Sequence, residues 1–267
     1  MQDRVTLPQW LDHLIYNQLG AKYCRSNADM TVIDWDKNDV LNYLGTYFPR
    51  SYAESYCIFS EFFKKYPDRF ASKEEISVFD FGCGTGGEII GFADALLYMP
   101  KVKNVHIFAL DGNYHALRLL ERVINTYASK SQLKIILDII PLTIDDFYDL
   151  GATIKLLSKV KFDVIMTFKA ICEFVSIDRF EKQNAYFYFV KTFLPKLAGN
   201  GIMAIIDVST YNSTSQEWLP QMLDSGINTN SCKVIMKNEG YNQRFFISHS
   251  LITGDVSKVS WRLLESN

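Results

Sequence analysis

The stretch Val78-Phe79-Asp80-Phe81-Gly82-Cys83-Gly84-Thr85-Gly86-Gly87-Glu88-Ile89-Ile90 constrains the fold more than any other part of the chain. The apolar run from Ile76 to Phe81 is short and rich in β-branched and aromatic residues, which suits a central parallel strand buried on both faces. Glycines then alternate at 82, 84 and 86. Lacking a Cβ, they allow a sharp turn and a close approach of backbone to a ligand. From about Glu88 the pattern predicts a helix whose free N–H groups point back at that ligand. A tight turn with no ligand is the plainer alternative, and three glycines beside an acid weigh against it.

The chain on either side divides at about residue 72. Residues 1–72 read as helical. Thr6-Leu7-Pro8 predicts a helix start with Thr6 as cap, and Leu7, Trp10, Leu11, Leu14 and Ile15 recur at helical spacing up to Gly20. A second helix is expected from about Asp36, interrupted by Pro49. A third is expected from Ser51, where Ser51-x-x-Glu54 has the form of a capping box, to Tyr66-Pro67.

Residues 73–267 alternate strand and helix, the pattern of a parallel sheet covered by helices. Strands are expected at Ile76–Phe81, Val105–Leu110, within Leu133–Ile144, Phe162–Phe168 and Ile202–Val208. Helices are expected at Glu88–Tyr98, Tyr114–Ser129, after Asp145-Asp146-Phe147, and from about Asp178 to Leu197. Gly199-Asn200-Gly201 reads as a turn. Arg244–Ser250 and Lys258–Leu263 predict an antiparallel hairpin closed by Thr253-Gly254-Asp255.

Composition narrows the function. The chain of 267 residues is 48% hydrophobic and 22% charged, an ordinary globular balance. A net charge of −2 is not the footprint of a dedicated nucleic-acid binder, although a local basic face is compatible with it. Five scattered cysteines form no metal-ligand spacing, so no metal site is expected, and they fit reduced thiols in a cytoplasmic protein. No apolar run approaches the length of a membrane span.

The glycine loop has two known uses. Gly82, Gly84 and Gly87 satisfy the G-x-G-x-x-G of nicotinamide dehydrogenases. Asp80, two places before G-x-G-x-G, instead resembles the first motif of the class I S-adenosylmethionine (SAM) methyltransferases. A dinucleotide would set a pyrophosphate near that carboxylate, which repels it. SAM carries an ammonium group, which a carboxylate attracts. The late antiparallel hairpin is a second methyltransferase trait. The resemblance therefore implies an α/β, Rossmann-like, mostly parallel sheet with a C-terminal antiparallel hairpin and an N-terminal helical cap. It also implies methyl transfer from SAM to an acceptor that the sequence does not name: small molecule, protein or RNA. A SAM-binding assembly factor without turnover and a NAD-dependent oxidoreductase are the alternatives. A weaker resemblance, in Tyr-Phe-Pro-Arg-Ser-Tyr-Ala before the first motif and a Lys-x-x-x-Glu after the fourth strand, is to methyltransferase-like proteins of the small ribosomal subunit. Their metal-binding cysteine cluster is absent here.

What the resemblance implies for individual residues follows the strand ends. Asp80, Gly82, Gly84 and Gly86 form the loop. Asp111, with Gly112 and Asn113, matches the second motif and would accept from ribose hydroxyls. Asp145 or Asp146, with Phe147 beside them, would meet adenine; either aspartate could instead be a helix cap. Lys169 is a cofactor or acceptor contact, or structural. Glu173 is the best-placed general base or acceptor anchor, with a capping or solvated glutamate as the alternative. In the lid reading Arg50 would meet the SAM carboxylate and Tyr52 would cover it, while an aromatic stripe at helical spacing is as readily core. Cys172, His115 and His249 read as structural.

Overall fold

A computed structural model describes residues 3–24, 35–157, 159–174, 184–212 and 216–267. The strands are β1 (Arg4–Thr6), β2 (Glu75–Phe81), β3 (Asn104–Asp111), β4 (Lys134–Pro141), β5 (Phe162–Phe168), β6 (Leu197–Val208), β7 (Tyr211–Asn212), β8 (Glu217–Trp218), β9 (Cys232–Lys237), β10 (Gln243–His249) and β11 (Ile252–Ser266). The α-helices are α1 (Gln9–Asp12), α2 (Lys37–Lys65), α3 (Gly87–Ala95), α4 (Tyr114–Ala128), α5 (Gly151–Leu156), α6 (Ile171–Phe174), α7 (Ala185–Phe193) and α8 (Leu219–Asn228). α1 runs on into a π-helical segment, His13–Gln18.

Nine strands form one sheet in the order β1-β10-β11-β6-β5-β2-β3-β4, with β9 also on β11. β6, β5, β2, β3 and β4 are parallel, and β11 is antiparallel to β6. This is the Rossmann-like sheet with a C-terminal antiparallel hairpin expected from the sequence. The order reverses between β2 and β5, and ligands of open α/β sheets sit outside the carboxyl ends at such a reversal. Apolar side chains alternate to the two faces. Ile76 and Val78 join the core under α1–α4, while Phe79 and Phe81 join the core under α5–α8.

Several sequence expectations need correction. Thr6 does not cap a helix: residues 4–6 pair parallel to β10, and α1 starts after Pro8 without a side-chain cap. Pro49 does not divide the next helix; α2 is continuous for 29 residues and contains it. A proline inside a helix removes its own N–H bond to the carbonyl four residues back, here that of Gly45. Tyr16 Oη donates to that carbonyl at 2.7 Å and so takes the missing partner's place. Ser51 and Glu54 are accordingly buried within α2 and form no capping box, whereas Asp36 with Asp39 forms one at its true start.

Gly199-Asn200-Gly201 lies inside β6, where the register to β5 slips between Phe162 and Val164. The hairpin turns at Ser250–Leu251. Thr253-Gly254-Asp255 instead forms an irregularity in β11, with Gly254 at a φ of 72°. The helix expected at Asp145 begins only at Gly151, and β1, β9 and α8 are elements that the sequence pattern did not announce. The expected helix from 178 to 197 appears as α7, and its first six positions lie outside the described residues.

Candidate functional site

The glycine loop leaves β2 and is held by β3. Gly82 and Cys83 both donate to the Leu110 carbonyl, at 2.9 and 3.0 Å. Gly84 N–H donates to Asp111 Oδ2 at 2.8 Å, and Asn113 N–H to Asp111 Oδ1 at 2.7 Å. Gly82, Gly84 and Gly86 take φ values of 75°, 47° and 82°, the left-handed region that L side chains avoid. A Cβ on Gly82 would lie 2.3 Å from that of Ala170, so the loop after β5 rests directly on it.

Gly87 has a different task. A Cβ there would lie 2.4 Å from the Phe48 carbonyl oxygen, and one on Gly91 2.4 Å from that of Tyr52. These two glycines bring α3 and α2 into backbone contact, and Ser55 Oγ donates to the Glu88 carbonyl across it. The third glycine of the apparent G-x-G-x-x-G is therefore explained by helix packing.

An open cleft of about 570 Å³, solvent included, lies at the carboxyl ends of β2, β3 and β5. Its polar lining is the loop at Gly82 and Gly84, Asp111, Gly112, Lys169, Glu173 and Tyr43; its apolar lining is Phe81, Leu110, Leu142, Ile144, Phe168 and Ala170. A few polar groups in an apolar cleft are the usual make-up of a small-molecule site.

The structure thus brings Gly82, Gly84, Asp111, Gly112, Lys169 and Glu173 to one cleft. Asp80 and Gly86 lie behind the loop, fully buried. Asn113 is buried and accepts from Ala116 N–H as the cap of α4. Asp145 and Asp146 are exposed just beyond Ile144, and Asp146 accepts from Tyr148 N–H at 2.9 Å, a turn rather than a helix cap. Phe147 faces away into the core against Phe81.

Arg50 and Tyr52 do not line the cleft. The Arg50 guanidinium is held by both Asp255 oxygens, at 2.8 and 3.0 Å, and lies 5.3 Å from the Tyr47 ring. Tyr52 is 3% exposed and donates to Asp94 at 2.7 Å. The residue that covers the loop is Tyr43, which the sequence reading missed: its ring would be 3.2 Å from a Cβ on Gly84, and it stacks on Tyr47. A signal existed. Positions 43, 47, 50 and 54 share one face of an uninterrupted helix, and treating Pro49 as a break concealed it.

Glu54 ends that face. Its fully buried carboxylate accepts from Lys169 Nζ at 2.8 and 2.7 Å, and Lys169 itself sits at a φ of 56°. Strained non-glycine backbone of this kind concentrates at functional sites.

Carboxyl groups dominate the site. Asp80 is 0% exposed, and among the described residues no N–H or hydroxyl reaches its oxygens; the group its carboxyl meets is the carboxyl of Glu88. Burial and the neighbouring Glu88 carboxyl push its pKa far above the ordinary range. Burial also raises Glu88, to about 8, against its own backbone N–H and the Lys169 charge. Glu173 is raised by burial, then by Asp111 and Asp207, and Asp111 by burial against three backbone N–H bonds. Asp207 caps the loop from below, accepting from Cys172 N–H and Tyr186 Oη at 3.0 Å each. Among these groups Lys169 is the one cation, and Glu54 already neutralises it.

No protein-family model matches the sequence, and no curated protein matches it significantly. Solved structures do. The DszA carbon methyltransferase is 14% identical with a TM-score of 0.50, over 96% of this chain and 64% of that one. A Listeria monocytogenes protein described as a class I SAM-dependent methyltransferase is 13% identical with a TM-score of 0.47, over 89% of this chain and 70% of that one. Loganic acid methyltransferase with S-adenosylhomocysteine is 11% identical with a TM-score of 0.46, over 72% and 74%. The fold is that of the class I SAM-dependent methyltransferases. Among the described residues no helix is long and apolar enough to cross a membrane.

Proposed function

We propose that the protein is a SAM-dependent methyltransferase, and that the cleft over the glycine loop holds SAM. The observation that carries this reading is the buried Asp80 carboxyl, which among the described residues meets another acid, Glu88, and no N–H, hydroxyl or cation. A buried acid whose partner is another acid is costly, and this pair is surrounded by further carboxyls rather than by cations. Such a floor suits a ligand that brings positive charge and opposes one that brings a diphosphate. The backbone cradle and the acceptor-rich rim fit the group as well. Asp111 keeps lone-pair capacity beyond its three backbone N–H bonds and would accept from a ribose hydroxyl, with Gly112 beside it on the cleft wall. Leu110, Leu142 and Ile144 would flank the adenine, with Asp145 or Asp146 at its edge.

When bound, SAM would supply an electrophilic methyl group on a sulfonium. The residues of this chain would orient it and keep water out. Tyr43 closes the loop from above, as the lid element of an N-terminal cap formed by residues 1–72. Lys169 and Glu54 hold the β5 loop against α2. Glu173, which lines the cleft and whose pKa burial raises, would face the acceptor as its anchor or as a general base. Holding the acceptor close and aligned supplies most of the catalysis that such a transfer requires.

Titration calorimetry with SAM, S-adenosylhomocysteine and NADH tests the reading. SAM and S-adenosylhomocysteine should bind and NADH should not, and Asp80→Asn should weaken SAM at least tenfold while the fold persists by circular dichroism. Binding of NADH in preference to SAM would overturn it. Release of S-adenosylhomocysteine with cell extract separates an enzyme from a binding factor without turnover.

A further inference from the structure

The sheet face turned away from α2 carries a second feature, independent of the cleft. Along β1, β10 and β11 the side chains alternate between the core and the outside. Val5, Phe245, Ile247 and Val259 are buried, while Arg4, Arg244 and Lys258 are exposed, with Phe246 and Val256 half-buried between them. Arg244 lies directly opposite Lys258, and Arg4 opposite Phe246 with its guanidinium 5.0 Å from that ring. Like charges facing each other across strands are destabilising. Among the described residues neither Arg244 nor Lys258 has an ion-pair partner to offset that cost.

Three residues before Arg244 the strip meets exposed aromatic rings. Trp218 lies edge-on to Tyr241 at 5.5 Å and to Tyr211 at 5.3 Å. They are 40%, 48% and 46% exposed, so their faces are not used by the core. Asn242 Nδ2 donates to Ser209 Oγ at 3.0 Å and ties this cluster to the end of β6. It therefore stands at the carboxyl edge of the sheet, the edge on which the cleft opens. From Phe246 to Gln243 the strand alone runs about 10 Å at the usual rise, and Tyr241 lies two residues beyond it, room for a few nucleotides.

We propose that this surface binds a single-stranded nucleic acid, with Arg4, Arg244 and Lys258 on the phosphates and Trp218 and Tyr241 stacking on bases. Cations alone would serve any polyanion. Rings with open faces at the end of a cationic strip are what bases require and an acidic peptide does not. The overall charge of −2 is no obstacle, because phosphate contacts are local. Asp3, Glu217 and Glu239 adjoin the strip in sequence, so the binding is modest and strongly salt-dependent.

Fluorescence anisotropy of the full chain with labelled single-stranded RNA, the same DNA sequence and duplex RNA, each of about 15 nucleotides, tests this between about 50 and 200 mM salt. The single strands should bind more tightly than the duplex, and any preference between RNA and DNA identifies the source. Lys258→Glu should weaken binding about tenfold and lower the salt slope by roughly 0.7. Trp218→Ala and Tyr241→Ala should weaken it on the order of tenfold with the slope unchanged. Lys258→Glu places an acid opposite Arg244, so its melting temperature should equal or exceed that of the parent. SAM affinity should not change in any of the three. The proposal is overturned if single strands do not bind at low salt, if the variants bind as the parent does, or if polyglutamate competes as well as RNA and the ring variants are silent.

Discussion

Replacing Lys169 by methionine probes the join between the cleft and its covering helix. Lys169 Nζ touches both oxygens of Glu54 at 2.7 and 2.8 Å, with the two side chains 11% and 0% exposed. At an effective dielectric constant near 20 the attraction at that distance is about 6 kcal/mol, and the desolvation of two buried ions cancels most of it. The pair contributes little net stability, but each partner alone is expensive. Methionine keeps the length and the strained non-glycine backbone, and leaves Glu54 as an uncompensated buried charge. The expected loss is about 3–5 kcal/mol. Urea unfolding of the ligand-free protein at neutral pH, followed by circular dichroism, measures it from the midpoint at constant slope. Lys169→Met with Glu54→Gln should recover most of the loss, because the charge is then gone from both sides. If Lys169→Met alone falls within about 1 kcal/mol of the parent, or the double variant is no better than the single one, the buried pair is not the tie described here.

Glu88 makes stability depend on pH: its folded pKa of about 8 lies above the ordinary 4.5, so the folded state holds a proton that the unfolded state has released, and stability falls as pH rises between those values. Each unit is worth about 1.4 kcal/mol, so melting temperatures should decline as pH rises from the ordinary 4.5 toward about 8, and Glu88→Gln should flatten the decline. SAM binding beside these acids should release protons, read as an affinity that rises toward pH 8 and as a heat that varies with buffer ionisation enthalpy. Tyr16→Phe leaves the Gly45 carbonyl unpartnered at about 1–3 kcal/mol, and Pro49→Ala, by restoring an N–H, should make the same change milder in a double-mutant cycle. Gly91→Ala drives a Cβ to 2.4 Å from the Tyr52 carbonyl oxygen and should cost about 1–3 kcal/mol or more in thermal unfolding.

The central strands were legible because each signal was local. Phe162–Phe168 was read to the residue, and the turn at Gly82, Gly84 and Gly86 follows from three left-handed positions in sequence order. The failures have one physical origin: partners distant in the chain. Pro49 ends a helix in isolation, but not when Tyr16 supplies the donor that its neighbour lacks. Residues 4–6 form a strand only because β10 offers an edge, and three residues carry too little pattern to announce that. Gly82, Gly84, Asp111, Lys169 and Glu173 could be expected together because strand ends identify themselves in the sequence, and the structure brings them to one cleft. Arg50 was misplaced because nothing near it in sequence reveals Asp255, and Tyr43 was missed with the continuity of its helix.

The pairing of β1 with β10 has a consequence for biogenesis. Asp12 and Ser250, joined at 2.8 Å, are 238 positions apart, and Arg50 waits for Asp255 in the same way. A ribosome releases the covering helix long before the hairpin that anchors it. The nascent chain therefore has to keep an aromatic-rich amphipathic segment from sticking elsewhere until the hairpin has emerged, and the contacts that fix the roof of the cleft can form only after that.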